Sequence, residues 1–380
     1  MLGEICVRTR MAAFVALVAT FFAVVATPAV AGTAADDPAT ATAALDAGFV
    51  AYNANDFVTA AQQFELSCTN GGMKGCYTLG LAYALGRGVT KDPVRALSYL
   101  ERACTGGLAN GCNDAAARYA DGEGAAINPV RAAQLYQKAC DGGIAAGCVG
   151  LGLSYHDGVG VAVDKQRAIA LFEKGCDGND MEGCSNAGLL IYQGDGVTAD
   201  KARGAVLMDK ACTIGMASSC SNVGLLYKSG SGVTPDLPRS ISYYEKGCAG
   251  GDAAGCFNLG GAYYFGQGVA IDATRAAAIL DKACAAGSAK GCELLGEQYY
   301  EGNGVVQDGK LATHYYSVAC EGGIENSCIN AGVAYADGTG VDRDYAQAII
   351  WLKRALTINP QSQVAKNGLE VVEGRLAKGN

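Results

Sequence analysis

A helical pattern of small and aromatic residues recurs every 36 residues along most of the chain. In the first copy, Cys76 is followed by Gly80 four residues later and by Tyr83 seven residues later. Gly occupies the same place in seven of the eight copies, and so does Tyr, with Ile191 as the exception. Spacings of four and seven residues lie on one face of a helix, so the pattern predicts a first helix in every copy.

A second apolar segment follows each first helix after a short turn. Gly86 and Gly88 form a Gly-x-Gly sequence that ends the first helix, because glycine readily adopts the left-handed conformation of a C-cap. Asp92 precedes the second segment, and Asp or Asn stands at this place in all eight copies, as expected of an N-cap. Each copy is therefore a helix pair, and a fixed period of this length is typical of a solenoid.

Cysteines follow the same period. The chain has 17 of them, and Cys6 alone does not follow this period. The other sixteen form eight pairs separated by eight residues: Cys68 and Cys76, Cys104 and Cys112, Cys140 and Cys148, Cys176 and Cys184, Cys212 and Cys220, Cys248 and Cys256, Cys284 and Cys292, Cys320 and Cys328.

The repeated sequence Leu-Gly-x-x-Tyr-x-x-Gly-x-Gly-Val-x-x-Asp-x-x-x-Ala resembles the Sel1-like repeat. With a cysteine pair in every copy, the chain is similar to the cysteine-rich Sel1-like proteins first described in Helicobacter. The resemblance covers residues 68–359. It implies an all-α fold, namely a right-handed superhelical solenoid of α/α repeats whose first helices line a concave face.

The two ends of the chain depart from the repeat. Residues 43–68 resemble a tetratricopeptide helix pair, residues 69–359 hold the eight repeats, and residues 32–42 are interpreted as a flexible linker. Leu356 stands where a further cysteine would be expected, so residues 360–380 are predicted to form a capping helix and tail. Atypical ends of this kind cover the terminal faces of a solenoid.

Two disulfide schemes are compatible with the spacing. Pairing Cys104 with Cys112 would join consecutive repeats, whereas pairing Cys76 with Cys104 would join the two helices of one repeat. The second scheme leaves Cys68 and Cys328 without partners. We therefore favour the first scheme, which uses all sixteen cysteines as structural disulfides.

The sequence gives little support for a metal site, a cofactor site or a catalytic site. The two histidines, His156 and His314, stand at non-equivalent repeat positions, and the cysteine spacing is not a usual zinc arrangement. The Gly-x-Gly sequences follow a helix instead of a strand, which does not fit a phosphate-binding loop. Neither Ser-x-x-Lys nor Lys-Thr-Gly occurs in the chain. We predict no metal, no cofactor and no catalytic residue.

The N-terminus predicts export. Arg8 and Arg10 precede an apolar stretch over residues 11–25, and small residues at 29–31 offer a cleavage site, so residues 1–31 are predicted to be a signal peptide. An apolar stretch of this length is shorter than the roughly 20 residues that cross a bilayer. We expect no membrane span after cleavage and a secreted or periplasmic bacterial protein, since disulfides persist in such compartments.

Charge narrows the range of partners. The chain carries a formal net charge of -8. Cleavage would remove Glu4, Arg8 and Arg10, which makes the remaining chain one unit more negative. An acidic chain repels phosphate backbones, so nucleic acid binding is not expected. The protein is expected to act as a monomer.

An asparagine recurs two residues after the second cysteine of a pair, on the predicted first helix: Asn186, Asn222, Asn258 and Asn330. Asn is a mediocre helix former, so its recurrence needs a reason. Its side chain could bond locally to the backbone, or it could bind the backbone of an extended peptide on the concave face. Tyr264, Glu297 and Tyr300 are neighbouring candidates that vary between copies.

Arginine recurs three residues after the capping residue in six copies, for example at Arg95, Arg131 and Arg275. A cation near a helix N-terminus opposes the helix dipole. We expect an ion pair with the nearby Asp to compensate for this.

These features favour a scaffold that binds a protein or an extended peptide. The alternative is a β-lactamase or a protein that binds penicillin or peptidoglycan fragments, because proteins resembling this family carry such names. Binding of a cell-wall muropeptide without turnover is a third hypothesis. His156 and Asp157 are adjacent in one copy only, which gives catalysis little support.

Overall fold

The computed structural model describes residues 37–378, and every regular element in that range is an α-helix. The helices fall into two compact units, and the chain passes from the first to the second between Asp200 and Lys201. The first unit contains α1 (Pro38–Asn53), α2 (Phe57–Thr69), α3 (Met73–Leu85), α4 (Pro93–Thr105), α5 (Ala109–Asp121), α6 (Pro129–Asp141), α7 (Ala145–Asp157), α8 (Lys165–Asp177) and α9 (Met181–Gln193).

The second unit contains α10 (Lys201–Ile214), α11 (Ala217–Ser229), α12 (Leu237–Ala249), α13 (Ala253–Phe265), α14 (Ala273–Ala285), α15 (Ala289–Glu301), α16 (Gly309–Glu321), α17 (Glu325–Asp337), α18 (Tyr345–Ile358) and α19 (Gln363–Ala377). Odd-numbered helices from α3 to α17 are the first helices of the repeats. Even-numbered helices from α4 to α18 are the second helices.

The predicted caps set the boundaries of both helices. Gly86 ends α3 in the left-handed region at φ 71°, as predicted. The Asp92 carboxylate accepts hydrogen bonds from the backbone N–H groups of Val94 and Arg95 at the start of α4. Gly88 has a second role, because a Cβ there would lie 1.8 Å from the carbonyl oxygen of Phe57. The second glycine therefore allows the turn to pack closely against the second helix of the preceding helix pair.

Packing within a repeat depends on the glycine four residues after the second cysteine. A Cβ on Gly152 would lie 2.7 Å from the ring of Phe172, and a Cβ on Gly224 would lie 2.7 Å from the ring of Tyr244. Phe172 and Tyr244 are each only 1% exposed. The glycine gives a large side chain of the second helix room to lie against the first helix.

All eight predicted disulfides are present, four in each unit, and each joins the end of one helix pair to the start of the next. The first, Cys68–Cys76, joins α2 to α3. The paired Cα atoms lie 4.4 to 4.6 Å apart throughout. The scheme that pairs Cys104 with Cys112 is therefore confirmed.

The structure at the N-terminal end of the described residues differs from one predicted boundary. The linker interpretation of residues 32–42 is wrong for residues 38–42, which form the first turns of α1. Asp37 caps this helix by accepting from the N–H groups of Ala39 and Thr40, a signal obscured by the Ala- and Thr-rich sequence. At the other end, α19 packs against α17 and α18. The predicted signal peptide lies outside the described residues.

Candidate binding surface

One face of each first helix is left partly accessible by the packing of the repeat. We define the first-helix face as the residues two, five and nine positions after the second cysteine of a pair. In α3 these are Thr78, Leu81 and Leu85, which are half-buried or exposed. Spacings of three and seven residues place the three side chains on the same side of the helix.

The four asparagines lie on this face. Asn186 belongs to α9 of the first unit, and Asn222, Asn258 and Asn330 belong to α11, α13 and α17 of the second unit. All four are half-buried. Within residues 37–378 none of the four amide groups forms a hydrogen bond to another protein group. The local-bonding interpretation therefore finds no counterpart in the structure, and no other described residue uses the donors and acceptors of the four amides.

Asp114 occupies the same position in α5 and behaves differently. The Tyr77 hydroxyl donates to one of its carboxylate oxygens at 3.0 Å, and the Asn113 amide donates to the other at 3.1 Å. Burial and the nearby Asp114 charge raise the pKa of the Tyr77 hydroxyl above its ordinary value. This carboxylate is engaged inside the protein, whereas the asparagine amides are not.

An acidic stripe runs along α15 in the second unit. Glu293, Glu297 and Glu301 follow one another at four-residue intervals, and the hydroxyl of Tyr264 donates to Glu301 at 3.5 Å. Burial, with the charges of Glu293 and Glu301, raises the pKa of the Glu297 carboxyl. Tyr300 lies on the same helix and is 53% exposed. The variable candidates from the sequence thus combine negative charge with aromatic surface.

The expectation for the arginine row is only partly right. Arg95 does lie 3.4 Å from its own cap Asp92. Arg131 instead pairs with Glu101 of the preceding repeat at 3.0 Å, and Arg275 pairs with Glu245 at 3.4 Å.

The same arginines also lie over the recurrent tyrosines. The guanidinium of Arg275 lies 4.2 Å from the ring centroid of Tyr263, and that of Arg167 lies 4.4 Å from Tyr155. These cation–π contacts explain why arginine recurs although it opposes the helix dipole. The cation–π contacts therefore join the two helices of one pair, whereas the ion pairs of Arg131 and Arg275 join consecutive pairs.

His156 has more neighbours than the sequence indicates. Its Nδ1 lies 2.6 Å from Asp157, and its Nε2 lies 4.0 Å from a carboxylate oxygen of Asp195 in the next turn. Lys165 Nζ lies 2.6 Å from the other oxygen of Asp195. Sequence reasoning missed Lys165 and Asp195, because 30 residues separate them and only the repeat stacking brings them together. The cluster forms an ion network between repeats.

Other sources of chemistry are limited in the part of the chain that the structure describes. Its sixteen cysteines are all in disulfides, so none of them is a thiol nucleophile. No group of three or more His, Cys, Asp or Glu side chains in residues 37–378 is placed to hold a metal ion. None of the helices described is both long and apolar enough to cross a membrane.

Comparison with known proteins decides the family. The family model of the Sel1 repeat matches eight consecutive segments, at residues 74–108, 109–144, 145–180, 182–216, 217–252, 253–288, 289–324 and 326–357. The chain is a Sel1 repeat protein. Sel1 repeats form scaffolds that typically mediate protein–protein interaction, and the matched segments contain all four asparagines.

Solved structures similar to this Sel1 repeat protein share its fold. A Sel1 repeat protein from Oxalobacter formigenes is 22% identical, with a TM-score of 0.67, over 92% of this chain and 98% of that chain. A protective antigen of uropathogenic Escherichia coli that displays an SLR fold is 23% identical, with a TM-score of 0.53, over 88% of each chain. No curated protein matches the sequence.

Helicobacter pylori cysteine rich protein B is 32% identical to the Sel1 repeat protein. The match covers 35% of this chain and 98% of that chain, with a TM-score of 0.30.

Proposed function

We propose that this Sel1 repeat protein is exported and binds an extended peptide segment of a protein partner on its first-helix face. The observation that carries the proposal is the set of four half-buried amides without protein partners, all at one repeat position. An amide side chain offers both a donor and an acceptor, which is the pair of groups that an extended peptide backbone presents. Recurrence at one repeat position suits a ligand that is itself extended.

Export is supported by two independent features. Eight disulfides form stably in an oxidising compartment, such as the periplasm or the extracellular medium. The predicted signal peptide at residues 1–31 would direct the chain there. The acidic net charge of -8 favours a protein over a nucleic acid as the partner.

The proposal is tested by changing two amides together in the second unit. Peptides are first selected on the oxidised wild-type protein from a phage-displayed random library and then synthesised. The Asn222→Ala and Asn258→Ala double variant should bind them about tenfold more weakly, since each lost hydrogen bond is worth about 0.5 to 1.5 kcal/mol. Its melting temperature should stay close to that of the wild type, because neither amide bonds to the protein.

Asn367→Ala is the matched control, because it removes an amide from α19, outside the first-helix face. It should leave peptide affinity unchanged. A double variant that binds the peptides as tightly as the wild type would contradict the role of the asparagines. A large fall in its melting temperature would show that these amides serve the fold.

The rival functions are separated by two further probes. We expect no hydrolysis of a chromogenic cephalosporin by the purified protein. Turnover that co-purifies with the chain through successive columns would favour the β-lactamase hypothesis. Retention of purified muropeptides, with no peptide enriched from the library, would replace the protein partner with cell-wall fragments.

A further inference from the structure

An apolar cavity of about 260 Å³ lies among α1, α2 and α3 in the first unit. Its walls are mainly aromatic and aliphatic side chains, chiefly Phe49, Tyr52, Phe57, Phe64, Leu81 and Leu85. Ligand pockets commonly measure about 300 to 1,000 Å³. A cavity slightly smaller than that range suits one inserted side chain better than a large cofactor.

The rings around the cavity are held in place by one another. Phe49 and Phe64 meet edge to face with ring centroids 5.3 Å apart, and Tyr52 and Phe57 do the same at 5.2 Å. Phe64 is buried, but Phe49 remains 43% exposed at the opening. The structure therefore presents a preformed aromatic wall to the solvent, which lowers the entropic cost of binding.

Leu85 is an apolar residue at a position that is polar in most copies of the repeat. It is 40% exposed, and the equivalent position is polar in six later repeats and apolar in one, which carries Phe265; the polar residues are Asp121, Asp157, Gln193, Ser229, Glu301 and Asp337. The fold accepts a charged residue there, so packing within the repeat does not require an apolar one. An exposed apolar side chain at a mostly polar position is expected of a contact surface.

Arg87 supplies a charge at the edge of the cavity. Of the described residues that line it, Arg87 alone is charged. Its guanidinium lies 5.8 Å from the ring centroids of both Tyr52 and Phe57 and donates to the Tyr52 hydroxyl. These contacts hold a positive charge beside an apolar pocket in a protein of net charge -8. A ligand complementary to this site is apolar with an adjacent carboxylate.

The cavity also adjoins the first-helix face. Thr78 lines the cavity and occupies the position that Asn186 occupies in α9 of the same unit. A peptide lying along α3 at this position would pass the opening. The cavity and the amide position thus belong to one surface in the first unit.

We infer that this cavity is an anchor site for the protein partner. The cavity takes one aromatic side chain of an extended segment of that partner. An Asp or Glu one or two residues later in the segment contacts Arg87. The inference rests on the proposed function. Aromatic anchors that fill preformed pockets dominate the binding energy of many interfaces. The carboxylate adds a charge-assisted hydrogen bond and fixes the direction of the segment.

The test uses the full oxidised chain and the same library of random peptides. Selected peptides should share an aromatic residue followed within two positions by Asp or Glu. Leu85→Asp introduces a residue that other repeats already carry at this position, so the variant should fold. Its affinity for these peptides should be about tenfold lower or more. Val94→Asp is the matched control, because Val94 is 65% exposed on α4 and does not line the cavity.

Charge reversal tests the second contact. Arg87→Glu should weaken the binding of the same peptides. When the acidic residue of a peptide is replaced with Lys, the peptide should regain part of its affinity for this variant and lose affinity for the wild type. Such rescue would not follow from a merely structural role of Arg87. Failure of the rescue would overturn the assignment of the carboxylate to Arg87.

Failure of the inference can be told from failure of the proposed function. Peptides that bind Leu85→Asp as tightly as the wild type, yet lose affinity for the Asn222→Ala and Asn258→Ala variant, would overturn the anchor site and leave the proposed function intact. If no peptide is enriched on the folded, oxidised protein, both fall together.

Discussion

At the scale of single residues, the glycine that faces the second helix is constrained by close packing within the repeat. A Cβ on Gly224 would lie 2.7 Å from two ring carbons of Tyr244, which is almost fully buried. We expect Gly224→Ala to lower the free energy of unfolding by about 1 to 3 kcal/mol, because the ring cannot move without disturbing the core. Chemical denaturation monitored by circular dichroism measures the change.

Gly261 provides the matched control in the same unit. It lies in the interior of α13, but a Cβ at this position would have no heavy atom of another residue within 4 Å beyond its own helical turn. Gly261→Ala should therefore raise stability by up to about 1 kcal/mol, since alanine is the better helix former. Equal losses in the two variants would show that close packing against Tyr244 is not what keeps glycine at position 224.

The acidic stripe on α15 predicts a dependence on pH. The pKa of Glu297 is raised above the ordinary value of 4.5 in the folded protein by burial and by Glu293 and Glu301. The folded state then binds its proton more tightly than the unfolded state does, so this group favours folding below pH 4.5 and opposes it as the pH rises through the folded pKa. Glu297→Gln should stabilise the protein at pH 7, and the gain should shrink towards pH 4.

Glu325 gives the opposite sign and serves as the comparison. Hydrogen bonds from the side chains of Ser362 and Asn359 lower its pKa below 4.5. It stabilises the folded state above that pH and loses its effect as the pH falls through the folded pKa. Glu325→Gln should therefore destabilise the protein at pH 7. Melting curves across pH 3 to 8 measure both changes: a loss of stability at pH 7 in Glu297→Gln would contradict the first assignment, and a gain in Glu325→Gln would contradict the second.

At the scale of helices, each disulfide holds the end of one helix pair against the start of the next. The bridge between Cys140 and Cys148 joins α6 to α7. Replacing both residues with Ala should lower the free energy of unfolding by about 2 to 3 kcal/mol, because a closed loop of this size restricts the unfolded chain. Denaturant unfolding without reductant measures the loss.

Reductant provides the control for that comparison. When every bridge is reduced, the Cys140→Ala and Cys148→Ala variant and the wild type should retain similar amounts of helical structure. A difference that persists at full reduction would assign the loss to side-chain packing and not to the bridge.

Helix boundaries show how far local signals reach. Capping residues such as Asp92 and Gly86 located the repeat helices correctly, because a cap is satisfied by backbone groups within a few residues. The start of α1 was missed. Its first turns, after Asp37, are rich in Ala and Thr, and their place in the fold comes from α2, against which Ala41 and Ala44 are buried.

At the scale of the whole molecule, the covalent links are spread evenly over the repeats. Four bridges lie in each unit, and every cysteine of residues 37–378 takes part. Stability of a repeat protein is approximately a sum of repeat and interface terms, so bridges at every interface act together. Eight bridges of about 2 to 3 kcal/mol each would exceed the 5 to 15 kcal/mol that is usual for a whole domain.

Full reduction should therefore cost this protein much of its helical structure near room temperature. Far-ultraviolet circular dichroism before and after reduction measures the loss. Alkylation of the native exported protein, followed by mass spectrometry, should label no cysteine between Cys68 and Cys328. Sixteen labelled thiols would contradict the oxidised state on which the fold and the proposed export both depend.

What the sequence alone determined is whatever repeats: the period, the helix caps and the disulfide pairing. These features depend on neighbours close along the chain and are repeated eight times, so the order of residues is enough to reveal them. Tertiary structure decided the rest. It pairs Arg131 with Glu101, places Asp195 near His156, and leaves the asparagine amides without protein partners. It also places aromatic rings of α1 and α2 and Leu85 in the walls of one cavity. Those contacts join residues of different helix pairs, and packing chooses among partners that local sequence cannot rank.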